Sequence, residues 1–324
     1  MDRRNFIVGT GIAAAGVALA PALTIPSVQA AAPQRTKQAP GYYRTKVGSI
    51  EIVSLSDGGM TLGDELMLKT DPATLAAAKE KYYIKAGKEF PAYVNGYVIN
   101  TGKKVTLVDT GAKGFAPTLG NLLSNLNESG ISSEQVDEVV LTHAHPDHTN
   151  GLLNDAGARA FARAKLRLSE DELNFWFSDE QMSKYPDKKM MFDLARKNLG
   201  PYKEAGQIET FKLGADLGGG IHSLSLPGHT PGHSGFRISD GKEQFLIWAD
   251  LVHVPAVQFE HPDASIAFDI DPDTARATRN KIFAEVAADR LRVAGMHLAF
   301  PGIGHVAKSG SGYAFVPQMW ETSV

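Results

Sequence analysis

The chain has 324 residues, 43% of them hydrophobic and 21% charged, and carries a net charge of −3. That balance is close to the soluble globular average and supplies a sizeable core, and the absence of a long basic run argues against nucleic acid or an anionic membrane as the main partner. It contains no cysteine, so disulfides and thiolate metal ligands are excluded and any metal must be held by His, Asp or Glu.

Residues 1–30 read as an export signal. Arg3-Arg4 precedes the apolar, Gly/Ala-rich stretch Ile7–Ala20, and Val28-Gln29-Ala30 resembles a small-residue cleavage site. The apolar stretch is short for a membrane span and is followed by Pro21 and Pro26, so no stable membrane association is expected. A twin-arginine route exports folded proteins, which predicts a periplasmic or secreted product. Residues 31–40, rich in Ala, Pro and Gln, read as a flexible lead-in to one domain over residues 41–324.

Within that domain, Lys46–Ser56 alternates as a strand and Asp57-Gly58-Gly59 marks a turn. Residues 71–81 predict a helix with Asp71 as N-cap and Pro72 in its first turn. Residues 93–100 and 103–108 predict a hairpin through Thr101-Gly102, ending at Asp109-Thr110-Gly111. Residues 117–129 predict an amphipathic helix closed by Gly130. Residues 138–141 form a strand, as do residues 165–168. Ser169-Glu170-Asp171-Glu172 then reads as a capping box opening a helix, with residues 173–205 largely helical. Strands are expected at 221–226, 235–238, 244–248 and 292–296, with a helix over 273–288 capped by Asp273. Two blocks of strands, each with helices, predict layered sheets with helices outside.

The chemistry concentrates at strand ends. Directly after Val139-Val140-Leu141, the segment 143–148 holds His143, His145, Asp147 and His148. Such a crowd of imidazoles and carboxylate beside a buried strand is costly unless a cation compensates it. His229, Asp250 and His297 each follow another predicted strand. These groups divide into two sets around a shared carboxylate, and Asp250 suits that place because its two oxygens can each face one cation. Two divalent ions, zinc first and manganese, iron or cobalt as alternatives, match imidazole and carboxylate ligands. Such ions polarise a substrate oxygen and bring the pKa of bound water to about 7. His305 competes with His297 as the last ligand, and His233 reads as a core or supporting histidine. Asp109 could orient a ligand or simply make a turn.

His143-x-His145-x-Asp147-His148 resembles the hallmark of the metallo-β-lactamase superfamily. Residues 227–233, Ala249-Asp250, Gly295-Met296-His297 and 107–111 are similar to its further motifs. Gly41-Tyr42-Tyr43-Arg44, residues 256–259 and residues 300–305 resemble methyl parathion hydrolase and its lactonase/arylesterase relatives. The resemblance implies an α+β fold, an αββα sandwich of two mixed sheets flanked by helices, as a catalytic domain over 41–324. It implies one metal on His143, His145 and His229 and a second on Asp147, His148 and His297, with Asp250 and a hydroxide nucleophile bridging. Asp250 and Asp147 would take part in catalysis, and Asp109 would orient a ligand or the metal loop. It also implies a homodimer.

The resemblance places Phe115, Trp176, Phe192, His253, Ile266 and Phe268 around a substrate pocket, although the aromatic residues could equally be plain core. His253 makes the wall more polar than the aliphatic residue of phosphotriester-specialised relatives, which favours a carbonyl substrate. The expected activity is therefore hydrolysis of small, neutral, hydrophobic lactones or aryl esters. Phosphotriester hydrolysis as the main activity is the alternative within enzymes, and a non-catalytic metal-binding protein is the alternative outside them.

Overall fold

The computed structural model describes residue 32, residues 34–36 and residues 38–324. The expected export signal lies outside the described residues. Among the described residues, no helix is long and apolar enough to cross a membrane.

Two seven-stranded sheets pack face to face between helices. In the first, strand order is Tyr42–Val47, Ile50–Leu62, Phe90–Asn100, Val105–Val108, Glu138–Val140, Lys165–Ser169, Ile208–Phe211. In the second it is Gly312–Pro317, Ile303–Ser309, Arg292–Ala294, Glu243–Ile247, Ser234–Asp240, Ile221–Ser225, Asp216–Gly218. Both are mixed. The first turns parallel from Val105–Val108 onward, and the second has one parallel pair, Glu243–Ile247 with Arg292–Ala294. Parallel strands point their carboxyl ends to one edge, where a ligand site is usually built.

Side-chain alternation assigns the layers. Tyr97, Ile99, Val108 and Val140 face Phe236, Ile238, Phe245 and Ile247 in the inter-sheet core. Their neighbours Val98, Leu107 and Val139 face outward, onto Leu122, Leu126, Phe192 and Leu199. Leu246 and Val293 face Ile282, Phe283 and Val286 on the other outer side. The result is the expected αββα sandwich.

Several local expectations need correction. The strand expected over 46–56 is two strands broken at Gly48 (φ 59°). Asp57-Gly58-Gly59 is not a chain reversal but a bulge within Ile50–Leu62, where register shifts between Ser56 and Gly58. The Asp57 carboxylate accepts from the N–H groups of Ala112, Gly120 and Leu122. That anchoring replaces the first turn of the helix expected over 117–129, which spans only Leu122–Glu128.

The stretch 173–205 divides into Glu170–Phe177, Asp179–Lys184 and Lys189–Glu204. Ser178 caps the second piece, and Pro186 precludes continuation of that piece. Asp71 caps its helix as expected. In the helix Pro272–Ala288, however, Asp271 rather than Asp273 receives the Thr274 N–H. Strands Ile303–Ser309 and Gly312–Pro317 went unread in the sequence, because residues 300–305 register as a motif rather than as an alternating run.

Candidate metal centre

Candidate ligand side chains from both sheets meet at the common edge. His143, His145, Asp147 and His148 follow Glu138–Val140, Asp250 follows Glu243–Ile247, and His297 follows Arg292–Ala294. Three groups bring one ligand atom per residue within 4.8 Å of one another: His143/His145/His229, Asp147/His148/Asp250/His297, and His229/Asp250/His253. All are buried except the half-buried Asp147.

In the first group His145 Nδ1 lies 3.0 Å from His143 Nε2 and 2.9 Å from His229 Nε2. Asp250 Oδ2 sits between the groups, 2.9 Å from His297 Nε2, 3.2 Å from His148 Nε2, 3.4 Å from His229 Nε2 and 3.7 Å from His143 Nε2. Asp147 Oδ2 lies 3.4 Å from His148 Nε2 and 3.5 Å from His297 Nε2.

The opposite ring nitrogens are tied outward. Nδ1 of His148 meets Asp109 Oδ2 at 2.7 Å, that of His229 meets Asp269 Oδ1 at 2.9 Å, and that of His297 meets the Tyr93 carbonyl at 2.7 Å. A carboxylate or carbonyl there accepts the ring Nδ1–H and turns the Nε2 lone pair inward, as in metal-ligating histidines. Asp109 also accepts from Thr142 N and Oγ1 and adopts φ 60°, so its turn conformation and its orienting contacts coexist.

The electrostatics separate the groups. Burial first, and neighbouring imidazoles next, hold His145 and His229 well below the ordinary imidazole range; burial does the same to His143. That favours their neutral form, the form in which an imidazole can donate a lone pair to a cation. Burial also opposes charge on His148, but Asp250, Asp147 and Asp109 outweigh it and raise that imidazole well above its ordinary range. Among the described residues, no hydrogen-bond partner satisfies His148 Nε2, Asp250 Oδ1 or either ring nitrogen of His253. Buried polar atoms left so are costly, and in a His/Asp set they fit divalent cations.

The other histidines sort cleanly. His233 donates from Nδ1 to the Leu226 carbonyl and accepts the Asp250 N–H at Nε2, so it supports Asp250 and stays outside the three groups. His305 lies exposed on Ile303–Ser309 and joins none of them. His222 and His261 are exposed.

Over these groups lies a pocket lined by Met60, Leu62, Phe115, Met191, Phe268 and His253 together with His145, Pro146, Asp147, His229, Asp250 and His297. Phe115, His253 and Phe268, expected around the substrate, line this pocket. Trp176, Phe192 and Ile266 do not line it. Trp176 is fully buried behind His145, Phe192 packs on Trp176, and Ile266 belongs to the core with Met67 and Val257. Trp176 and Phe192 lie deep in the helical layer, and Ile266 is drawn inward by the pairing of Ser265–Ile266 with Met67–Leu68; motif spacing encodes neither. Met60, Leu62, Met191 and Asp269 were missed, since none sits in a recognisable motif. The only sequence signal for Asp269 is the general need of a metal-facing histidine for an acceptor at its other nitrogen.

The metallo-β-lactamase superfamily profile matches residues 90–297. The chain belongs to this superfamily. Among solved structures, it is 35% identical to hydrolase AbOPH of the β-lactamase superfamily, over 88% of this chain and 100% of that one, with a TM-score of 0.84. It is 26% identical to AidC, a dizinc quorum-quenching lactonase solved with the product N-hexanoyl-L-homoserine, over 87% and 99% of the two chains, at a TM-score of 0.80. A probable metal-dependent hydrolase from Staphylococcus aureus shares the fold at 19% identity and a TM-score of 0.70, over 86% and 100% of the chains. No curated protein sequence matches. The chain is thus a metallo-β-lactamase-type hydrolase with a His/Asp site able to hold metal.

Proposed function

We propose that this chain is a binuclear metal-dependent hydrolase of small, neutral, hydrophobic lactones or aryl esters. The observation that carries the reading is the shared carboxylate: Asp250 Oδ2 stands between two ligand groups at the floor of an otherwise apolar pocket. His143, His145 and His229 would hold one cation, Asp147, His148 and His297 the other, and Asp250 both. Two divalent ions, zinc first, supply Lewis acidity and a nucleophilic oxygen at neutral pH when bound there.

The chain's own residues do the rest. Met60, Leu62, Phe115, Met191 and Phe268 receive the hydrophobic part of the substrate and shed its water. Among the described residues the wall bears no lysine or arginine, which favours a neutral substrate. Asp147 and Asp250 both reach the pocket, and a carboxylate oxygen of either takes up and returns the proton that moves from nucleophile to leaving group. His253, 2% exposed, has Nε2 3.2 Å from Asp250 Oδ2 and, among the described residues, no hydrogen-bond partner at either ring nitrogen, so it offers a hydrogen bond to a developing oxyanion. The lactonase neighbour AidC supports the carbonyl reading.

Elemental analysis and a kcat/KM comparison of dihydrocoumarin, an acyl-homoserine lactone and methyl paraoxon on one preparation test this. Two metal equivalents with a lactone or aryl ester at least about tenfold ahead are expected. A lead for methyl paraoxon makes phosphotriesters the main substrates. Two equivalents with no turnover on any of the three makes the site non-catalytic.

A further inference from the structure

Glu172 is fully buried in the first turn of the helix Glu170–Phe177. Ser169 accepts the Glu172 N–H as an N-cap does, but the carboxylate does not fold back to close a capping box. It reaches across to two loops instead. Oε1 accepts the Ala144 N–H at 2.9 Å and the indole N–H of Trp176. Oε2 accepts the Thr230 hydroxyl at 2.7 Å and the Gly232 N–H at 3.1 Å. All four partners are neutral donors.

The positions of those donors are specific. Ala144 lies between His143 and His145, Thr230 follows His229, and the Trp176 ring packs edge-on against His145, 5.4 Å away. The approach is so close that a Cβ on Gly232 would fall 2.3 Å from Glu172 N. The other ligand group is supported elsewhere, His148 by Asp109 and His297 by the Tyr93 carbonyl.

We propose that Glu172 is a positioning residue that holds His143, His145 and His229 together as one preformed cation site, leaving the Asp147/His148/His297 site to other supports. The inference rests on the binuclear reading above. Four donors converging on two oxygens require an acceptor-only group. A glutamine turns its NH2 toward at least one donor pair and pushes one loop away from the other.

The test uses the full chain, stripped of metal and titrated with Zn²⁺ against a chromophoric chelator. Wild type is expected to bind two equivalents. Glu172→Gln should keep one and bind the other about 10–100-fold more weakly, the usual effect of losing a group that supports metal ligands. Thr230→Val deletes one donor, keeps the carboxylate, and should weaken the same equivalent less; it carries the test if Glu172→Gln fails to fold. Adding His148→Ala to Glu172→Gln should impair both equivalents, whereas adding His229→Ala should leave the remaining one intact. Two equivalents of unchanged affinity in Glu172→Gln, or equal weakening of both, overturns the proposal while leaving the binuclear reading standing. Fewer than two equivalents in wild type overturns both.

Discussion

His229 Nδ1 lies 2.9 Å from Asp269 Oδ1, and this contact decides which lone pair of the imidazole faces the cluster. The other Asp269 oxygen accepts the Ile266 N–H at 3.3 Å. Asparagine has one acceptor oxygen, so Asp269→Asn can serve His229 or Ile266 but not both. The expected result is a 10–100-fold loss of affinity for one metal, of the order typical for such supports, read by chelator competition. Unchanged affinity for both ions would show that His229 needs no such partner.

Metal removal should destabilise as well as inactivate. Ions that bind only the folded chain at about 1,000 times their Kd contribute roughly 4 kcal/mol each. Excess chelator should abolish hydrolysis and lower the melting temperature, and Zn²⁺ should restore both. Full activity after the metal content falls to zero would refute the metal-dependent reading.

His148→Ala deletes a candidate ligand whose Nε2 faces Asp250 Oδ2 at 3.2 Å. Loss of cation charge from the site should cost several kcal/mol of transition-state stabilisation, seen as a fall in kcat/KM of at least about a hundredfold. Wild-type turnover with full metal content in this variant would disprove the assignment.

Gly228 precedes His229 with φ 121°, and an added Cβ would lie 2.1 Å from Ala275 N and 2.4 Å from Ala275 Cα. The clash is with helix backbone, which cannot swing aside. Gly228→Ala should destabilise by roughly 2–6 kcal/mol, combining backbone strain with overpacking, measured as a lower urea midpoint. A shift below about 0.5 kcal/mol, ordinary for surface substitutions, would show that the loop accommodates the side chain.

Tyr202 donates to the Leu152 carbonyl and accepts the Phe161 N–H, and burial pushes its phenol up to about 12. Its folded pKa thus lies above its unfolded value of 10.0. Stability from the neutral phenol is complete below pH 10 and is lost as pH rises toward 12. The stability gap between wild type and Tyr202→Phe should therefore narrow by about 2–3 kcal/mol over that window, measured by chemical denaturation at each pH. A gap that stays constant would mean the phenol ionises as freely folded as unfolded.

The sequence was legible where chemistry or periodicity is local. His143, His145, Asp147 and His148 occupy neighbouring positions, and each remaining ligand follows an apolar run, so both the candidate ligands and the layered α+β class could be read directly. Asp71 as a cap was equally plain, because a cap is decided within one turn. Capping at the start of Pro272–Ala288 was misread although the signal is local: Asp271-Pro272 repeats the Asp71-Pro72 pattern, and a proline in the first turn leaves Asp271 as the cap and Asp273 inside the helix.

What tertiary structure alone decided is which groups meet across distance. It brought His297 rather than His305 to the edge, put Asp269 behind His229, sent the Glu172 carboxylate across to two loops instead of back to its own helix, and set Trp176, Phe192 and Ile266 into the core instead of the pocket wall. The physical reason is one of range. Ligand type, strand alternation and helix caps are determined by residues within a few positions of each other. The partner of a buried nitrogen or carboxylate is determined by packing two sheets and their helices together, and that information is spread over the whole domain.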